Sequence, residues 1–183
     1  MIRKTPFIIN LLKGFGYLFA AQIFSLLFSF LVSPFMVNDF ILAFAGLCTT
    51  AIIVGLMCNY AYNLARRTQK EQRAIGGYSS IGIVILGTMT ALPSIMLWAL
   101  LLMSKLGLVN DFMTLYRFLN ASFFPFIMLL CPNGTKASEL TAFQLTIAFL
   151  FSFVPMISFW ISYIITYRNI DIKKLLLYDN KSR

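Results

Sequence analysis

Charged residues divide the chain into long apolar stretches. Residues 14–38 hold 25 positions without a charge, 40–65 hold 26, 74–104 hold 31 and 140–167 hold 28. A helix rises about 1.5 Å per residue, so about 20 apolar residues cross a hydrocarbon core about 30 Å thick. A Lys, Arg or Asp at mid-span costs about 2.5–3.5 kcal/mol, and none of the four windows carries one. Soluble helices of this length keep a polar face at helical period, which these windows lack. The pattern predicts an all-α integral membrane protein forming one membrane domain over 1–183. Its transmembrane helices are expected over about 14–33, 40–62, 78–104 and 141–167.

The connections refine this. The first span stops at Pro34, and the turn to Asp39 is short enough to make spans 1 and 2 an antiparallel hairpin. No breaker follows the second span until Gly76 and Gly77, so its helix is expected to run on through 64–75. Pro93 and Pro155 predict kinks in spans 3 and 4. A fifth apolar stretch, 112–131, holds Arg117 and Asn120 and is interrupted by Pro125. Proline removes a donor and disfavours helix at the residue before it. Two short helices therefore fit better than one span. The expectation is a re-entrant or interfacial extracytoplasmic segment over 106–131, with Asp111 as a helix cap and Glu139 opening span 4.

Charge sets the orientation. Four spans place twelve basic residues on one side: Arg3, Lys4, Lys13, Arg66, Arg67, Lys70, Arg73, Arg168, Lys173, Lys174, Lys181 and Arg183. The other side receives Lys105, Arg117 and Lys136. The positive-inside rule then puts both termini and the basic tail 168–183 in the cytoplasm of a cell (plasma) membrane. In that tail Ile172, Leu175 and Leu176 share a helical face suited to the inner leaflet. The net charge of +9 reads as topology and attraction to anionic lipid. Without a folded basic domain, no nucleic-acid partner is expected. The first apolar run is too long for a secretory signal and is read as a retained span. Richness in Phe, Ile, Leu, Lys and Asn points to a bacterial source.

Composition narrows the chemistry. Only 11% of residues are charged and 60% are apolar, against about 25% charged in soluble domains. Histidine is absent, which removes imidazole bases and ligands. Cys48, Cys58 and Cys131 lack metal-ligand spacing. No mid-span charge is present to couple transport to ions. The expectation is a non-enzymatic protein without cofactor or metal. Small residues recur four apart in every span: Ala21, Ser25, Ser29, Ser33; Ala51, Gly55, Asn59; Gly87, Ala91; Ser158, Ser162, Thr166. Such stripes let helix backbones approach closely. The first is the longest, so Ser25 and Ser29 are candidate contacts with another membrane subunit or a second copy. Gln22 lies deep enough for an interhelical hydrogen bond. Arg117 and Asn120 lie three apart and share a face. Arg117 either snorkels to headgroups or faces inward with Asn120, toward Asp39 or Glu139, or toward an anionic ligand or partner. These features predict a subunit or accessory factor of a larger membrane complex, with the bilayer as its solvent. The alternative is a small-solute transporter or channel component, its path built from the kinked spans and the dipping segment.

Overall fold

The computed structural model describes residues 7–35, 38–75 and 80–168. The stop at Gly76 and Gly77 and the surface helix of the tail lie outside these residues. Helix accounts for 87% of the described residues, with no strand among them, so nearly all of their backbone groups are paired along the chain itself.

Four long elements dominate. Helix α1 is Phe7–Val32, α2 is Asp39–Ile75, α3 is Ser80–Lys105, and α6 (Ala142–Phe151) with α7 (Val154–Tyr167) forms a fourth. All four are long and apolar enough to cross a membrane. Helix α1 starts seven residues before the apolar window, because Lys13 ends the apolar zone but does not break a helix. A 3-10 turn, Ser33–Phe35, takes up Pro34. The Asn38 side chain then accepts from Ile41 N at 2.9 Å and starts α2. With 37 residues, α2 is about 55 Å long, and its last third is the predicted extension over 64–75. Helix α3 passes Pro93 without a break. The fourth element does break, at Ser152 and Phe153, just before Pro155 in the first turn of α7.

Two close approaches hold the helices together. Gly87 of α3 lies so near Trp160 of α7 that a Cβ there would sit 2.1 Å from the indole nitrogen. Gly14 of α1 admits the Tyr60 ring of α2, 3.3 Å from where a Cβ would be. Around these points the buried core contains Leu18, Ile53, Met57, Ala61 and Phe159. Rings continue it from α1 through α2 into α7: Tyr17 on Tyr60 at 5.3 Å, Tyr60 on Phe159 at 5.6 Å, then Tyr163 and Tyr167.

Contacts between ends define the topology. Gln69 Nε2 donates to the carbonyls of Thr166 and Tyr167 at 3.0 and 2.8 Å, so α2 and α7 finish at the same end. At the other end Lys105 Nζ donates to Leu140 O at 2.7 Å. The segment between them therefore leaves and rejoins the bundle at one end. It contains α4 (Met113–Leu119), a 3-10 turn (Ala121–Phe123) and α5 (Phe124–Leu130).

Candidate functional site

The bent segment gathers most of the polar residues singled out from the sequence. The axes of Met113–Leu119 and Ala121–Leu130 differ by 91°. The bend falls at Asn120, whose φ of −102° and ψ of 46° leave the helical region, and not at Pro125. Proline occupies the first turn of α5 instead, where its missing N–H costs nothing. Non-helical backbone inside an apolar bundle must find partners in the protein. Here Asn120 N donates to Tyr116 O at 3.0 Å, and Phe123 N to Asn120 O at 2.9 Å. Asn120 Nδ2 adds a bond to Tyr116 O at 3.3 Å, and the residue is 3% exposed.

The 3-10 turn is seated on α1 and α2. Ser122 N donates to Gln22 Oε1 at 3.0 Å. Ser122 Oγ lies 3.0 Å from Ser25 Oγ, which also reaches Thr49 O at 3.3 Å. Thr50 Oγ1 is 3.5 Å from Ser122 O. Thr49 and Thr50 follow Asp39 by ten and eleven residues, so the turn sits about 15 Å along α2. Ser25 and Ser122 are both 0% exposed. The stripe of α1 thus faces its own bundle, and Ser25 and Ser29 are covered by the chain itself rather than open to another subunit. Ser33, in the turn beyond α1, is exposed. Gln22 makes the expected bond between segments, with the bent segment as its partner. Thr49, Thr50 and Ser122 were not singled out from the sequence. The signal was there, as two adjacent threonines in the middle of an apolar window, but pairwise spacing cannot say what lies opposite.

Arg117 turns inward, as one of its two expected positions has it, but meets backbone carbonyls there and not a carboxylate. It is 7% exposed, and its Nη2 donates to Cys131 O at 2.7 Å and Pro132 O at 2.9 Å. Its Nη1 is 3.4 Å from Asn133 Oδ1. The guanidinium occupies the C-terminal end of α5, where carbonyls lack helical partners and the helix dipole favours a cation. Neither Asp39 nor Glu139 contributes to these bonds. Asp111 cross-links the segment, its Oδ1 accepting from Met113 N at 3.1 Å and Ala137 N at 3.0 Å. Glu139 caps a 3-10 turn through Lys136 N at 3.2 Å, while Thr141 with Gln144 caps α6. Gln144 Nε2 also donates to Leu130 O at 2.7 Å. Charged and polar groups at this end are thus spent on holding the segment in place.

A second candidate lies along the α1–α2 pair. The α2 stripe Ala51, Gly55, Asn59 is the exposed one. Nothing lies within 4 Å of where a Gly55 Cβ would be. Ala51 and Gly55 floor an open apolar groove of about 550 Å³, walled by Phe24, Leu27, Phe28 and Leu31. Toward the basic end the same helix pair forms a polar cleft of about 660 Å³, lined in part by Lys13, Asn63, Arg66, Arg67 and Lys70. No group of three or more metal-binding side chains occurs among the described residues. The chain matches no known protein family, no curated protein and no solved structure.

Proposed function

We propose that the chain is a non-enzymatic integral membrane protein that serves as a subunit or accessory factor of a larger membrane complex. Its basic end lies in the cytoplasm, and the bent segment is re-entrant from the opposite face. The observation that carries this reading is the uncovered stripe of α2. Ala51 and Gly55 offer a smooth backbone surface between aromatic and leucine walls, the geometry that lets a neighbouring transmembrane helix approach closely. The bent segment supports the same reading. Its polar groups are bonded to α1, α2 and its own turns, which suits a fixed structural feature better than a moving gate.

The test is Gly55→Leu. Because a Cβ at Gly55 would meet nothing within 4 Å, the variant should insert and fold as before. It should lose a stoichiometric membrane partner, or self-association, on purification in mild detergent. Unchanged assembly would remove the groove as the contact. The helix breaks at Asn120 and Ser152 favour a second reading, since discontinuous helices line substrate sites in many transporters. Solute flux into liposomes holding the purified chain alone would establish that reading in place of the first.

A further inference from the structure

The cleft at the basic end of the α1–α2 pair has a composition unlike the rest of the surface. Asn10, Lys13 and Tyr17 of α1 face Tyr60, Asn63, Leu64, Arg66, Arg67 and Lys70 of α2 across about 660 Å³. Four cations line it, and no described carboxylate does. Glu71, the next acidic residue along α2, is turned into the bundle and is nearly buried. Like charges crowded without a counter-ion repel one another, and an anion between them removes that penalty.

The depth of the cleft selects the anion. Lys13 is the last charge before the apolar window of α1, and Arg66 the first after that of α2. The hairpin sets these two boundaries side by side: Tyr60 Oη donates to Asn10 O at 2.5 Å, one turn from Lys13. Arg66 is stacked over Tyr62 at 5.3 Å, which holds one guanidinium at this level. A cleft with cations at the rim and tyrosines and Leu64 beneath matches a lipid at the interface. The charged group meets the rim, and the glycerol and first chain carbons meet the rings. The α1 residues that line it, 10, 13 and 17, lie on the face that continues to Phe24, Leu27 and Leu31 of the apolar groove. An acyl chain leaving the cleft therefore has a furrow to follow.

We propose that this cleft binds the headgroup of an anionic phospholipid, with Lys13, Arg67 and Lys70 contacting phosphate oxygens and Arg66 held beside them by Tyr62. The site recognises phosphate in a lipid rather than a soluble phosphate, because the apolar floor and furrow accept the chains.

The experiment uses the full chain purified in mild detergent. Mixed micelles carry cardiolipin, phosphatidylglycerol or phosphatidylcholine, and lipid retention is read by native mass spectrometry with thermal unfolding in parallel. Cardiolipin and phosphatidylglycerol should remain bound and raise Tm, and phosphatidylcholine should do neither. The double variant Lys13→Gln, Arg67→Gln should weaken anionic-lipid retention by about tenfold or more, the scale of two lost surface cations. Its Tm in phosphatidylcholine should be unchanged, since both side chains are exposed. Lys136→Gln, at the other end of the molecule, should retain lipid normally. Equal retention of phosphatidylcholine, or an equal loss in Lys136→Gln, would overturn the site. Saturation of the same residues by millimolar inorganic phosphate or pyrophosphate alone would replace the lipid with a soluble ligand and overturn the proposal. So would an acidic protein held by these four cations in place of lipid. Lys13 and Arg67 lie outside the apolar groove, so the double variant should keep its membrane partner on purification, and failure of this site and failure of the subunit reading are separate results.

Discussion

Arg117 has much of its cost met inside the protein through its two Nη atoms, while its Nε is buried without a partner. A buried guanidinium is expensive unless its donors are used, and two carbonyls beyond the end of α5 supply acceptors at 2.7 and 2.9 Å. Replacing Arg117 by Leu would leave those carbonyls in a covered site. The loss of charge-assisted bonds is worth about 1.5–3 kcal/mol. For a chain of this size that corresponds to a fall in Tm of roughly 4–10 °C. Scanning fluorimetry in detergent should show this fall, and Arg117→Lys should lie between, since one ammonium can serve one or both carbonyls. A Leu variant as stable as the parent would return Arg117 to the headgroup region. Ser25 makes a second residue-scale case. With 0% exposure and its Oγ 3.0 Å from Ser122 Oγ, it has no room for a larger side chain. Ser25→Leu should insert but elute as aggregate in size exclusion, because overpacking costs about 1–3 kcal/mol and Ser122 loses its partner. A monodisperse Ser25→Leu variant would mean that the 3-10 turn is not seated on α1.

Helix α2 shows how an element can outlast the membrane pattern that predicts it. The residues from Arg66 to Gln72 are strongly polar yet helical, because no glycine or proline stops them and α7 gives them a partner. Gln69 Nε2 serves the last carbonyls of α7, groups that a helix end leaves without acceptable donors, and Tyr167 reaches across to Gln72. Gln69 therefore caps the end of α7, and the Tyr167–Gln72 bond ties the two helices together there. Gln69→Ala should speed amide exchange about fivefold at 163–168, the scale of one bond of about 1 kcal/mol. Exchange across 142–151 should stay as it is. Unchanged exchange at the α7 end would show that Gln69 does not hold it.

At the scale of the whole molecule the two ends differ in kind. One presents Lys13, Arg66, Arg67, Lys70 and Arg168; the other ties Lys105 to Leu140 O and Arg117 to the 131–133 turn. Five exposed cations at one end, against one exposed (Lys136) and two hydrogen-bonded at the other, sharpen the charge asymmetry that orients membrane chains. In cells, with Cys48, Cys58 and Cys131 replaced, an impermeant thiol reagent should label Ser138→Cys and leave Arg67→Cys unmodified until the membrane is opened. The reverse pattern would place the basic end outside.

The four long helices were legible in the sequence because spacing of charge is a one-dimensional quantity. A window without Lys, Arg or Asp is the same length whatever packs beside it, and the hairpin of α1 and α2 follows from a connection too short for anything else. The extension of α2 was legible for a similar reason, since no glycine or proline interrupts the sequence from Leu64 to Ile75. Which side of each helix faces inward was not. Ala21, Ser25 and Ser29 and the α2 stripe Ala51, Gly55 and Asn59 share the same four-residue period, yet the first is covered and the second is open. In water an apolar face must be buried, so periodicity reveals the inside. Among helices that are apolar all round, lipid and protein are equally acceptable neighbours, and the difference is made by what a distant segment brings. Ser122, almost a hundred residues on, covers Ser25. The carbonyls of Cys131 and Pro132 claim Arg117. The break at Asn120 rests on partners that only the folded chain supplies, whereas Pro125, the local breaker, settles into the first turn of a helix. Local residues determined which segments are helical and how long they run. The tertiary structure decided which polar groups meet, because hydrogen bonds between segments depend on positions in space that spacing along the chain does not encode.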